Sequence, residues 1–191
     1  MKNKILNKLL WVMVGILLSL GVQEIKEKYR AKKKSEKILT LSISSVDREL
    51  SKLYLLNFNT AVFDYNAKDT LYIHRRPIEV RLKENYNMLL KDPDVIRQMD
   101  ADFHDNIEKF KDDNDRLTKW YNTLPSDFER NKLKNKIIGE LYYQKEVLTA
   151  ELDFLKNKIS KDSLIDVREN AFRKYIDFDL VSFHEKQFAN N

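Results

Sequence analysis

Residues 9–22 read LLWVMVGILLSLGV. The run carries no charge, follows Lys2, Lys4 and Lys8, and leads into the basic stretch KEKYRAKKK at 26–34. An uncharged apolar stretch flanked by lysines is the mark of a segment that meets a lipid bilayer. It fills 14 positions, or 18 counted from Ile5 with Asn7 and Lys8 as interruptions. A helical span takes about 20 residues, whereas runs of about 10–14 also serve as signal-peptide cores. Ser19 and Gly21 offer small residues where a signal would be cleaved. Helix-compatible sequence continues through Gln23, Glu24 and Ile25, and Lys8 can snorkel to lengthen the usable span. This favours a retained single-pass anchor over a cleaved signal.

The expected organisation is therefore a transmembrane anchor over residues 1–25, a basic juxtamembrane stretch over 26–37 and a helical bundle over 38–191. Within the anchor, Gly15 and Ser19 form a small-xxx-small pair, a possible dimer face. Between Lys26 and Lys37 stand seven basic residues against Glu27 and Glu36. Lys26, Lys28, Arg30, Lys32, Lys33, Lys34 and Lys37 are the expected contacts to anionic lipid headgroups, each contributing about 1 kcal/mol close to the surface. Counting basic residues on the two flanks places the bundle in the cytoplasm. A signal-anchor reading, with its short basic N-region inside, places it on the outer side.

Composition narrows the function. The net charge is +5 and its excess sits next to the apolar run, which explains a pI near 9.1 without nucleic acid. There is no cysteine, so disulfides, thiolate metal sites and cysteine nucleophiles are excluded. Of three glycines, Gly15, Gly21 and Gly139, only the last lies beyond the apolar segment. Phosphate-cradling loops and dinucleotide-binding turns need glycine where the ligand approaches the backbone, and neither can be built here.

Periodicity gives an all-α fold of long helices, arranged as an antiparallel bundle or coiled-coil-like hairpin. Leu39, Ile43, Val46, Leu50 and Leu53 recur at 3–4 spacing, with Ser42, Ser44 and Ser45 as a possible bend. Tyr65–Arg76 is irregular and reads as a connection. Ile78, Leu82, Tyr86 and Leu89 mark a helix over 78–91. Asp92-Pro93 is a cap followed by proline at the first helical position. The helix it opens carries Ile96, Met99, Phe103, Ile107, Phe110, Leu117, Tyr121 and Leu124. Asn114 in that stripe either fixes register or faces solvent. After the turn at Leu124-Pro125, Ser126 and Glu129 resemble a capping box. A helix of about 34 residues is expected behind it, antiparallel to its predecessor because the link is short. Ser163 with Asp166 suggests the cap of a last helix bearing Leu164, Val167, Phe172 and Ile176. Phe178, Phe183 and Phe188 in the tail are expected to pack back on the bundle.

Two segments carry a resemblance. VGILLSLGVQE at 14–24 and NMLLKDPDVIRQMDADFHDNIEKF at 87–110 resemble a group of uncharacterised bacterial membrane proteins. In that group a single N-terminal anchor runs into a basic helix. A helix with a leucine pair then leads through a polar turn into a helix opening on an acidic-apolar-Arg step. Gly21, Val22 and Gln23 stand where the group carries a polar Asn/Trp cluster. The resemblance implies a membrane-anchored helical domain and no particular activity.

No catalytic signature emerges, and no cofactor or small-molecule substrate is expected. Asp100, His104 and Glu108 lie at i, i+4 and i+8, the best metal-like constellation, but no Glu-x-x-His motif accompanies them. A solvated polar face is the better reading. Asp112, Asp113 and Asp115 lack the turn glycine of a calcium loop. Tyr72, His74, Arg75 and Arg76 are read as a solvated loop, with a phosphate or acidic partner as the alternative. The expectation is a membrane-attached binding, sensing or scaffolding protein that meets the bilayer and either a protein partner or a second copy. An envelope-spanning or phage-type tether is the alternative, and a carboxylate-metal bundle enzyme a more distant one.

Overall fold

The computed structural model describes the backbone of residues 2–59, 77–125 and 127–176, with side chains over 11–55, 77–82, 84–125 and 128–176. The connection at 65–76, Ser126 of the capping box and the aromatic tail after 176 lie outside the described residues. The chain is all-α. Six helices follow in order: α1 (Lys2–Asn59), α2 (Lys83–Lys91), α3 (Pro93–Ile96), α4 (Ala101–Thr123), α5 (Asp127–Leu155) and α6 (Lys161–Tyr175). Among the described residues no helix is long and apolar enough to cross a membrane.

Helix α1 is unbroken for 58 residues, about 87 Å at 1.5 Å per residue. The serines do not interrupt it. Ser42 Oγ donates to the Ile38 carbonyl at 2.9 Å and Ser44 Oγ to that of Thr40 at 3.0 Å. Each hydroxyl thus satisfies itself on the preceding turn, and the backbone ladder continues.

Four helices form the core, with α1, α2, α4 and α5 each antiparallel to its neighbours. Between α1 and α5, Asp47 pairs with Lys145 and Tyr54 meets Tyr142. Between α1 and α2, Asn85 donates to Ser45 and Lys34 pairs with Asp92. Tyr86 of α2 packs on Phe110 of α4, and Asn114 of α4 bonds Gln144 of α5. In every pair rising numbers meet falling ones, which is an up-down-up-down bundle. Helix α6 lies along the outside of α5, joined by Glu151–Arg168 and Glu146–Lys174. The α4–α5 hairpin is antiparallel as expected, but α5 packs most extensively on α1. Surrounded by α1, α4 and α6, α5 is buried on nearly every side between Ile137 and Leu141.

The core-facing set of α1, Leu39, Val46, Leu50 and Leu53, is buried as its spacing indicates, with Ile43 packed against it. Asp92 caps α3 by accepting from the Asp94 N–H at 3.1 Å, with Pro93 in the first turn. Four expectations are corrected. The second helix starts at Lys83, not Ile78, because the Asn122 amide takes both the N–H and the carbonyl of Ile78, each at 3.0 Å. The helix after Pro93 stops within one turn. Asp100 adopts extended backbone and gives its N–H to Glu151, so Val95 is buried and Ile96 exposed.

Helix α5 ends at Leu155 instead of reaching Ile159. Asn157 takes φ 57°, its N–H bonding the Phe154 carbonyl and that of Lys158 the Asp153 carbonyl, both at 2.8 Å. This is a left-handed cap with asparagine in the place usually given to glycine. Helix α6 is capped by Ser160, whose Oγ accepts from the Ser163 N–H at 3.2 Å, so Ser163 is not the cap.

Candidate functional site

The feature that sets this bundle apart is the part of α1 that the bundle leaves bare. From Trp11 to Arg30 the side chains are exposed, apart from half-buried Val14. Packing against the bundle begins at half-buried Ala31 and Lys32 and is complete at Ser35, Ile38 and Leu39. Burial thus reaches a few residues into the stretch 26–37, below the boundary at 38 read from sequence. The apolar residues on the bare half include Trp11, Leu18, Val22 and Ile25.

The seven basic residues are not equivalent. Lys26, Lys28, Arg30, Lys33, Lys34 and Lys37 are exposed and Lys32 is half-buried. Lys28 pairs with Glu24 at 2.7 Å and Lys33 with Glu36 at 3.1 Å. Lys34 turns toward the bundle, 2.5 Å from Asp92 and 3.9 Å from Asp94. Its hydrogen bond to Asp92 raises its pKa and holds the Asp92 carboxyl below the usual range. Lys34 therefore clamps α1 to the α2–α3 corner. Gly15 has open space where a side chain would stand, and Ser19 Oγ donates to the Ile16 carbonyl at 3.1 Å.

Two buried polar clusters hold the bundle in register. In the first, Tyr86 (α2) donates to Gln144 Oε1 (α5) at 2.6 Å. Asn114 (α4) and Gln144 exchange amide hydrogen bonds at 3.0 and 3.1 Å. Asn114 thus lies in the seam, and one cluster ties three helices with its amides satisfied.

In the second cluster Arg168 of α6 donates to Asp100 Oδ2 at 2.9 Å and to Glu151 Oε2 at 2.7 Å. Glu151 Oε1 accepts the Asp100 N–H at 2.8 Å, and Lys161 stands 3.2 Å from Asp100 Oδ1. Burial pushes the Asp100 carboxyl up, but its hydrogen bonds to Arg168 and Lys161 outweigh that and hold it below the ordinary value. Burial dominates for Glu151 and raises it despite the Asp100 N–H and Arg168. Asp100 is therefore a buried ion-pair member, not part of the solvated face read from its spacing to His104 and Glu108. His104 is half-buried and Glu108 exposed. Among the described residues no group of three or more His, Asp or Glu side chains is placed to hold a metal.

Sequence reasoning missed Arg168, Glu151 and Gln144, because charged and amide side chains in a helical stripe look like surface. The signal that remained was polar interruption of an otherwise apolar seam. A groove of about 470 Å³ runs beside the second cluster, floored by Tyr143 and walled by Asn106, Ile165 and Phe172. Nothing in these clusters pairs a nucleophile with a base; their polar groups bond one another. No family model, curated protein or solved structure matches the chain.

Proposed function

We propose that the protein is a membrane-anchored helical bundle that binds or scaffolds a partner at the bilayer surface and performs no chemistry of its own. The observation that carries this reading is the bare, apolar N-terminal half of α1, continuous with a helix buried in the bundle core. A helix from Ile5 to Val22 rises about 27 Å, against a hydrocarbon thickness of about 30 Å. Trp11 and the flanking lysines suit the interface. The resemblance to uncharacterised bacterial single-anchor proteins points the same way.

With α1 upright, Lys26, Lys28 and Arg30 lie within about 12 Å of Val22, near the headgroups. Lys37 stands about 22 Å away, beyond a Debye length of about 8 Å from that layer. The first three therefore supply the lipid electrostatics, and Lys34 serves the bundle. By the basic-residue count the bundle faces the cytoplasm. Membrane fractionation tests the reading: the full chain resists alkaline extraction, and Ile16→Lys with Leu17→Lys releases it. Release of the unaltered chain into the soluble fraction contradicts it.

A further inference from the structure

The apolar stripe of α1 does not end where the bundle ends. Leu39, Val46 and Leu53 recur every seven residues and are buried in the bundle, with Ile43 and Leu50 between them. Carried toward the N-terminus in the same register, the stripe passes Lys32 and Glu36, both half-buried where α1 slips under the bundle. It then continues as Tyr29, Ile25, Val22, Leu18 and Gly15. These lower positions have no cover: Ile25 is 71% exposed and Tyr29 61%. The helices that cover the upper half, α2 and α5, end at Lys91 and Leu155.

A seven-residue repeat drifts around a straight helix by about 20° per heptad and closes into a left-handed supercoil when a second helix joins it. The drift leaves the lower stripe roughly 100° around α1 from the face buried in the bundle. Two copies related by a two-fold axis can therefore pair their lower stripes with their bundles projecting to opposite flanks. The charges beside the stripe do not oppose this, since Lys28 and Lys33 are already paired within the helix to Glu24 and Glu36.

We infer that the protein is a parallel homodimer, paired through Gly15, Leu18, Val22, Ile25 and Tyr29 of α1, with the contact running from the apolar segment into the neck below the bundle. This moves the dimer face off Ser19, which lies at the edge of the stripe. The inference rests on the anchored reading for the lower part of the contact, and the neck residues Ile25 and Tyr29 extend it beyond the lipid.

The absence of cysteine makes the test clean. Ile25→Cys, Tyr29→Cys and, on the opposite side of the neck, Glu27→Cys are each oxidised in the full chain reconstituted in phosphatidylcholine vesicles containing phosphatidylglycerol. The dimer predicts disulfide-linked pairs at 25 and 29 in about tenfold excess over 27, because only the first two bring Cα atoms within bonding reach. Ile25→Asp placed in the Tyr29→Cys chain should abolish the product. Equal yields at all three sites, or none, overturn the dimer, and crosslinking of Tyr29→Cys only to another added membrane protein overturns it in favour of a heterologous partner. Face-selective pairing in a chain that stays off the vesicles keeps the dimer and removes the anchor. Vesicle-bound chain without pairing keeps the anchor and removes the dimer.

Discussion

Arg168 Nη2 lies 2.7 Å from Glu151 Oε2, joining α6 to α5 at a point where Glu151 has no exposed surface at all. The same guanidinium reaches Asp100 at the start of α4. One side chain from the outermost helix thus neutralises two acids on two core helices.

Removing that side chain strands both acids. Arg168→Met is expected to cost about 3–5 kcal/mol, the usual result of breaking a buried ion pair from one side. Replacing the network together, as Arg168→Met with Glu151→Leu and Asp100→Asn, should recover most of the loss. Urea unfolding followed by circular dichroism measures both, and equal losses in the single and triple variants would refute the assignment.

Gln144 serves two partners, and Tyr86 only one. Gln144→Leu leaves a buried hydroxyl and a buried amide without partners and should cost about 2–4 kcal/mol. Tyr86→Phe leaves the Asn114–Gln144 exchange intact and should cost about 1 kcal/mol. The same unfolding measurement ranks them; a larger effect for Tyr86→Phe would contradict the cluster.

Glu140 gives the bundle a distinctive pH response. Burial raises its pKa, the Asp113 charge adds to the rise, and Lys136, Lys109 and Arg116 oppose it. The folded state therefore holds this proton to higher pH than the unfolded chain does. Its contribution falls as pH rises from the unfolded carboxyl value of about 4.3 toward the raised folded value. Glu140→Gln should stabilise the protein at pH 7 and give no gain at pH 4, read from Tm across that range. Asp100 works in the opposite sense. Its lowered pKa contributes stability above the unfolded value of about 3.9, lost as pH falls through the folded one.

Asn157 ends α5 in left-handed backbone. Asn157→Gly should be neutral or slightly stabilising, and Asn157→Val should cost about 1–2 kcal/mol, since a branched side chain strains that conformation. Thermal melts of the two variants separate these outcomes.

Much of this architecture could be read in advance where apolar spacing and local caps agree. The stripe from Leu39 to Leu53 and the Asp92-Pro93 start are examples, because their causes lie within a few residues. The second helix and the break at Asp100 could not, because their causes are distant in sequence: Asn122 lies 44 positions from Ile78, and Glu151 lies 51 from Asp100. Of the candidate site, the apolar run and its basic flank were legible as composition. The different duties of Lys34 and Lys28 were not, since they depend on which acid the fold brings within reach.

The direct test of membrane anchoring is water accessibility along α1. Single cysteines at Leu17 and Lys37 of the full chain in lipid vesicles are labelled with a charged maleimide before and after detergent. Anchoring through the apolar run predicts that Leu17→Cys stays unlabelled until detergent is added while Lys37→Cys reacts at once; labelling of both at the same rate in intact vesicles would contradict it.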